Sequence, residues 1–348
     1  MTYKRFQILN RHLRPFDYTK LEDDEQFPEV FQCAQPWSEH IQYATTQLCE
    51  PGSHLAVDEG MIRYTGRNSE ITYVPGKPTD TGFKEVIYVL TDDGDKVIAL
   101  NSTQSVVIAL INLLPQSTYH IFVDNIFSSP DLFLSLRQHG HGATGTAHPN
   151  CGIYKEFADY KVKDQSGKSG FKFNEIRVVP TPDNQVNQIA WKDNALVLFL
   201  STVFKGDERC ERWRKRPSTK KATARPIQRF FGDEASKLIS TPTVATTYND
   251  EMNHVDRGDQ MRAYQGYDHP IRRGAWQALT WTFLLDVVLV NSYLLQRHGQ
   301  PNWSRYTSQK EWRRRIYNEL FKGFHRERPP GWAAKVKKLK EAFGAGQQ

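Results

Sequence analysis

Cysteine is scarce in this chain. Its 348 residues hold four, Cys33, Cys49, Cys151 and Cys210, and no two are spaced as a zinc knuckle or a C-x-x-C pair requires. A disulfide framework is not expected, and a reducing intracellular setting is. The N-terminus has no apolar stretch of the signal-peptide kind. Long apolar runs are also few. The main one, 275–295, contains Gln277, Asp286 and Asn291, so it reads as a buried helix and no membrane partner is expected. No internal repeat is found, and no motif for a small-molecule substrate.

Charge and aromatic residues are abundant. At 39% hydrophobic and 24% charged, the chain can bury a core, and its length suggests two or three units. The net charge of +7 is unevenly spread. Residues 205–229 hold ten Lys/Arg against three Asp/Glu, and 310–340 hold eleven against three. The remainder is net acidic. Basic edges around an acidic centre suit a polyanion held over a cation-loaded site. The run Arg212-Trp213-Arg214-Lys215-Arg216, with Lys220 and Lys221, suits phosphate contact or nuclear import. It also suits a solvated loop.

Residues 1–50 read as helical, with a helix over 38–48 that Pro51-Gly52 ends. Strand signals follow from 55 to 123, including a hairpin of 85–90 and 96–100 around Asp92-Asp93-Gly94-Asp95. Ser129-Pro130-Asp131 opens a short helix to Gln138. The stretch 142–240 is rich in Gly, Pro and Lys, with strands at 171–179, 188–191 and 195–204, and reads as a separate β insert. Asn249 suits a helix N-cap. Long helices follow at 274–297 and 307–322, then Pro329-Pro330-Gly331 and a basic tail helix. His139, His141, His148 and Cys151 are interrupted by glycines and read as loop and strand, not as a zinc set.

Asp58 follows the apolar run 54–57 and Asp124 follows the β-rich run 119–123. Asp256 and Asp259 are three apart on a helix and share a face. Two strand-end carboxylates and a helix-borne pair can hold two Mg²⁺ ions, which neutralise charge and place nucleophile and leaving group in phosphoryl transfer. Asp is also common at strand ends and helix starts for capping alone, so spacing leaves both readings open.

The words around these acids carry more. Val57-Asp58-Glu59-Gly60-Met61, with Tyr64-Thr65-Gly66-Arg67 and Tyr73-Val74-Pro75-Gly76-Lys77-Pro78, resembles the first catalytic block of piggyBac-type transposases. Val123-Asp124-Asn125-Ile126-Phe127-Ser128-Ser129 resembles the second. Ala143-Thr144-Gly145-Thr146 and Leu200-Ser201-Thr202 resemble words of the family's insert. Tyr248-Asn249 through Val255-Asp256-Arg257-Gly258-Asp259-Gln260-Met261 resembles the third block. The likeness runs collinearly from about residue 4 to 297.

The resemblance implies an α/β fold: a ribonuclease-H-like catalytic core with a β-rich insert and flanking helical segments. The expected division is a helical lead at 1–54, the first part of the core at 55–147, the insert at 148–240, a catalytic helix at 241–265 and a C-terminal helical segment at 266–348. It implies metal-dependent DNA cleavage and strand transfer, with excision through a hairpin and integration at TTAA. Asp58, Asp124 and Asp256 would hold two Mg²⁺ or Mn²⁺ ions, with Asp259 as a fourth acid. Double-stranded DNA (transposon ends and target), a homodimeric partner and a nuclear location are implied. Trp276 falls where the family has a tryptophan that stacks on target DNA; a core tryptophan with Leu279 and Phe283 is the alternative. Arg272, Arg273, Lys77, Arg214, Lys215, Arg216, Lys220 and Lys221 are the expected DNA contacts. Three features depart from the family: four scattered cysteines build no Cys/His-rich zinc domain, the likeness begins almost at Met1 without the acidic extension, and Ala147-His148 follows Thr146 where an arginine is common. A host-adopted or degenerate DNA-binding protein without turnover is therefore the second expectation.

Overall fold

A computed structural model of the chain describes residues 4–5, 8, 32, 34–63, 71–73, 81–85, 100–218, 224–264, 277–299 and 306–326. It divides into two compact units, one of residues 38–260 and one of residues 1–37 with 261–348.

The first unit is built on a six-stranded mixed sheet. In chain order its strands are β1 (His54–Val57), β5 (His120–Val123), β6 (Gly142–Thr146), β7 (Ile176–Pro180), β8 (Asn187–Lys192) and β9 (Leu196–Ser201). Their spatial order is β1-β5-β6-β9-β8-β7. The pairs β1/β5 and β5/β6 are parallel; β6/β9, β9/β8 and β8/β7 are antiparallel. A second, three-stranded sheet holds β2 (Gly60–Arg63), β3 (Ile71–Tyr73) and β4 (Thr81–Glu85) in the order β2-β4-β3.

Strand alternation divides the side chains of the main sheet between two layers. Leu55, Val57, Ile121 and Val123 face one core, with Leu196, Leu198 and Leu200 of β9. Three helices cover that face: α2 (Ser102–Asn112), α3 (Pro130–Gln138) and α4 (Lys155–Asp164), through Val107, Ile111, Leu132, Phe133, Leu136 and Phe157. Ala56 and Phe122 face the other core, with Ile189, Trp191 and Phe199. There they meet α6 (Thr243–Tyr264) through Val244, Ala245, Tyr248 and Met252. Those four positions recur at the spacing of one helical face. Burying each large side chain contributes roughly 1.5–3 kcal/mol.

Several elements differ from the expectation drawn from sequence. Residues 176–201 do not stand apart as an insert, because β7, β8 and β9 extend the main sheet through β6. Within this stretch β10 (Arg209–Lys215) and β11 (Ser236–Pro242) form a separate antiparallel ribbon, on which α5 (Arg225–Phe231) buries Ile227 and Phe231 against Ile239. Helix α2 lies where strands were expected. Its start is a capping box: Asn101 accepts from the Gln104 N–H at 2.9 Å and the Gln104 side chain accepts from the Asn101 N–H at 3.2 Å. Asn249 is not an N-cap, since α6 begins six residues earlier, directly after β11. The expected hairpin turn at 92–95 and the basic tail helix lie outside the described residues.

In the second unit, α7 (Gln277–His298) meets α8 (Gln309–Arg326). Over Leu279–His298, α7 is long and apolar enough to cross a membrane by length and composition. Several of its polar groups are nonetheless engaged with protein. Asp286 pairs with Arg313 at 3.5 Å, Ser292 accepts from Trp312 Nε1 at 3.0 Å, and Gln296 bonds the Tyr306 backbone twice. The Trp281 ring stacks on Trp37 at 6.0 Å.

Candidate active site

Asp58 and Asp124 are the residues next after β1 and β5. The parallel register pairs Val57 with Val123, so the two carboxylates leave adjacent strands at the same level. Both are in phase with Ala56 and Phe122, which places them on the α6 side of the sheet. Ligand oxygens of Asp58, Glu59 and Asp124 all lie within 4.8 Å of one another. Glu59 is buried and the two aspartates are half-buried. The Glu59 N–H donates to Asp58 Oδ1 at 2.8 Å, fixing that carboxylate locally.

Asp124 is held from three sides. Its Oδ1 accepts the Asn125 N–H at 2.6 Å, the Thr146 hydroxyl at 3.0 Å and, more weakly, the Tyr248 hydroxyl at 3.4 Å. Thr146 lies on β6, next to β5, and Tyr248 on α6. Their hydroxyls are 3.1 Å apart. Burial, followed by the nearby Asp124 and Asp58 carboxylates, pushes the Tyr248 phenol well above its ordinary pKa, against a lowering by the Thr146 hydrogen bond. It is therefore protonated at neutral pH and available as a donor. An open cavity of about 480 Å³ adjoins Asp124 and Tyr248 and extends past His148 and Lys161 to Gln165.

Three clustered carboxylates repel one another when no cation is present. The donor set is all oxygen and partly solvated, which fits a hard divalent cation such as Mg²⁺ or Mn²⁺. Asp256 and Asp259 do not belong to the 4.8 Å cluster. Asp256 is exposed and Asp259 half-buried, both beyond Met252 on α6. Upstream on the same helix, Glu251 bonds His54 Nδ1 at 2.9 Å, at the end of β1 opposite Asp58.

The expected DNA contacts fare differently. Arg214 is half-buried, paired with Asp193 at 2.8 Å and set over the Trp191 ring. Lys215 and Arg216 are exposed on the ribbon, beside Trp213 at 72% exposure. Arg212 pairs with Asp250. Lys77, Lys220, Lys221, Arg272, Arg273 and Trp276 lie outside the described residues. The ring nitrogens of His139, His141 and His148 bond Ser135, Tyr119 and Asn150 respectively. Sequence reasoning missed Glu59 and Tyr248 as site residues. Glu59 adjoins a nominated acid, and Tyr248 stands two helical turns before Asp256, but neither carries a local signal for its role.

Strand-end carboxylates grouped beneath a helix, on a mixed sheet covered on both faces, define an α/β protein with a ribonuclease-H-like core. The family model described as Transposase IS4 matches residues 1–101 and 91–293, and the chain belongs to that family, among its piggyBac-type members. It is 22% identical to the human PiggyBac transposable element-derived protein 3 over 315 residues, which is 85% of this chain and 48% of the relative. It is likewise 22% identical to the human PiggyBac transposable element-derived protein 2 over 316 residues, 84% of this chain and 48% of that one. The chain thus spans about half the length of these curated relatives. Its fold matches the cryo-EM structure of a piggyBac transposase synaptic complex with hairpin DNA at a TM-score of 0.66 and 20% identity, over 95% of this chain and 65% of that one.

Proposed function

We propose that this chain is the core of a metal-dependent DNA transposase that cleaves and transfers DNA strands. The observation that carries this reading is the convergence of Asp58, Glu59 and Asp124 at adjacent parallel strand ends. These residues would hold the cation, which supplies charge neutralisation and an activated water or 3′-hydroxyl. The protein's own part is positioning: the β1/β5 register sets the two aspartates side by side, and the Asn125 N–H and Thr146 hydroxyl orient Asp124. Asp256 and Asp259 are the further acids proposed to complete a two-ion site, with Asp256 as the third ligand.

The proposal extends to Mg²⁺ or Mn²⁺ as cofactor, excision through a hairpin, integration at TTAA, a homodimer on double-stranded DNA, and the nucleus. Lys215 and Arg216, with Lys77, Lys220, Lys221, Arg272, Arg273 and Trp276, are the proposed DNA contacts; Arg214 would have to leave Asp193 to join them. The test is nicking and hairpin formation on DNA with Mg²⁺ or Mn²⁺. Wild type should give product and Asp124→Asn should not; equal product from both refutes the catalytic reading. The exclusion of Asp256 and Asp259 from the carboxylate cluster favours a second reading, a transposase-derived DNA-binding protein without turnover. That reading requires salt-sensitive DNA binding and no metal-dependent product.

A further inference from the structure

We infer that Tyr248 is a positioning residue for Asp124, acting through Thr146 to fix one carboxylate oxygen so that the other is presented to the cation. The inference rests on the reading of Asp58, Glu59 and Asp124 as metal ligands. Among the described residues, every hydrogen bond to the Asp124 carboxylate falls on Oδ1. Each hydroxyl has one proton to give. Thr146 gives its proton to Asp124 at 3.0 Å, and its oxygen then accepts from Tyr248 at 3.1 Å. The 3.4 Å contact from Tyr248 to Asp124 is the weaker alternative for the same proton. A relay results, Tyr248 to Thr146 to Asp124.

The far end of the relay is rigid. Tyr248 is 8% exposed, lies in the core between α6 and the sheet, and meets Phe199 edge-on at 5.7 Å. Thr146 is fixed by β6, whose register sets it level with the residue after Val123. With Oδ1 held by a strand and a helix, rotation of the carboxylate is suppressed and Oδ2 keeps one direction. Outer hydrogen bonds of this kind tune cation affinity by about 10- to 100-fold. The same bond ties α6 to the sheet, and α6 carries Asp256 and Asp259.

The experiment is calorimetric titration of Mn²⁺ into the full chain, with thermal melts recorded without metal. Wild type should bind Mn²⁺ and Asp124→Asn should lose binding. Tyr248→Phe and Thr146→Val should each weaken binding about tenfold, Thr146→Ser should restore it, and the Tyr248→Phe/Thr146→Val double variant should be no worse than Thr146→Val, because Tyr248 acts through Thr146. Tyr248→Phe binding Mn²⁺ as wild type does, even with a lowered metal-free melting temperature, overturns the positioning role alone. Absence of binding to wild type, or equal binding to Asp124→Asn, overturns the metal reading and this inference with it. Should Tyr248→Phe fail to fold, the contrast between Thr146→Ser and Thr146→Val decides the matter: equal affinities overturn it.

Discussion

Acidification should destabilise the first unit through His120. This ring sits on β5, with Nε2 2.8 Å from the Thr144 hydroxyl, which in turn lies 2.9 Å from Ser201. Burial, then the charge of neighbouring His54, lowers its pKa from 6.5 to about 4, against a smaller opposing pull from Glu251. Between those two values the unfolded chain binds a proton that the folded chain does not. Stability is therefore full above pH 6.5 and falls as pH drops from 6.5 towards 4. At pH 5 the linkage amounts to about 2 kcal/mol, and partial exposure of the ring reduces it to about 1 kcal/mol. For a unit of roughly 150–250 residues that is about 2–4 °C in melting temperature. The assay is melting at pH 7.5 and 5.0 for wild type and His120→Gln, which can keep a hydrogen bond to Thr144. Wild type should lose about 2–4 °C more than the variant on acidification. An equal loss in both proteins, or a gain in wild type, refutes the reasoning.

Three further outcomes follow from the packing. Gly145→Ala would place a Cβ 2.5 Å from Ser128 Oγ and 2.6 Å from the Val123 carbonyl; overpacking of this sort costs about 1–3 kcal/mol and should appear in urea melts together with weaker Mn²⁺ binding. Asp164 is buried, yet the Lys192 ammonium at 2.8 Å, the Ser169 hydroxyl at 2.6 Å and the Leu196 N–H at 2.7 Å outweigh that burial and hold its pKa below the ordinary value. Its stabilisation is present above about pH 4 and lost as pH falls through the lowered folded value. Asp164→Asn should cost about 3 kcal/mol at pH 7, read by denaturant unfolding. In the second unit Asp286→Ala removes the carboxylate paired with the buried Arg313 guanidinium and should lower stability by about 3 kcal/mol, whereas the Asp286→Leu/Arg313→Met pair should recover most of it.

Asp58 and Asp124 are legible because each ends a short apolar run, and strand alternation fixes which face the next side chain takes. Asp58 and Asp124 needed only the β1/β5 pairing to meet. That pairing, like the attachment of β9 to β6, joins segments far apart in the chain, and local sequence does not encode partners. Helix α2 is hidden in the sequence because Val106, Val107 and Ile108 are β-branched and resemble a strand, while its local signal is the capping pair Asn101 and Gln104. The start of α6 is obscured because Asn249, Asp250 and Glu251 look like a capped first turn, six residues inside the helix. The packing of Val244 and Ala245 on Phe199 carries the helix back to Thr243. Glu59 comes into the site beside Asp58, and Tyr248 through tertiary contact.

The most direct measurement is the anomalous signal of Mn²⁺ in crystals soaked at saturating concentration. The account predicts a peak bonded to carboxylate oxygens of both Asp58 and Asp124, at roughly the 2.0–2.1 Å of Mg²⁺-like coordination, and its loss in Asp124→Asn. No peak there, or the same peak with Asp124 replaced, would contradict it.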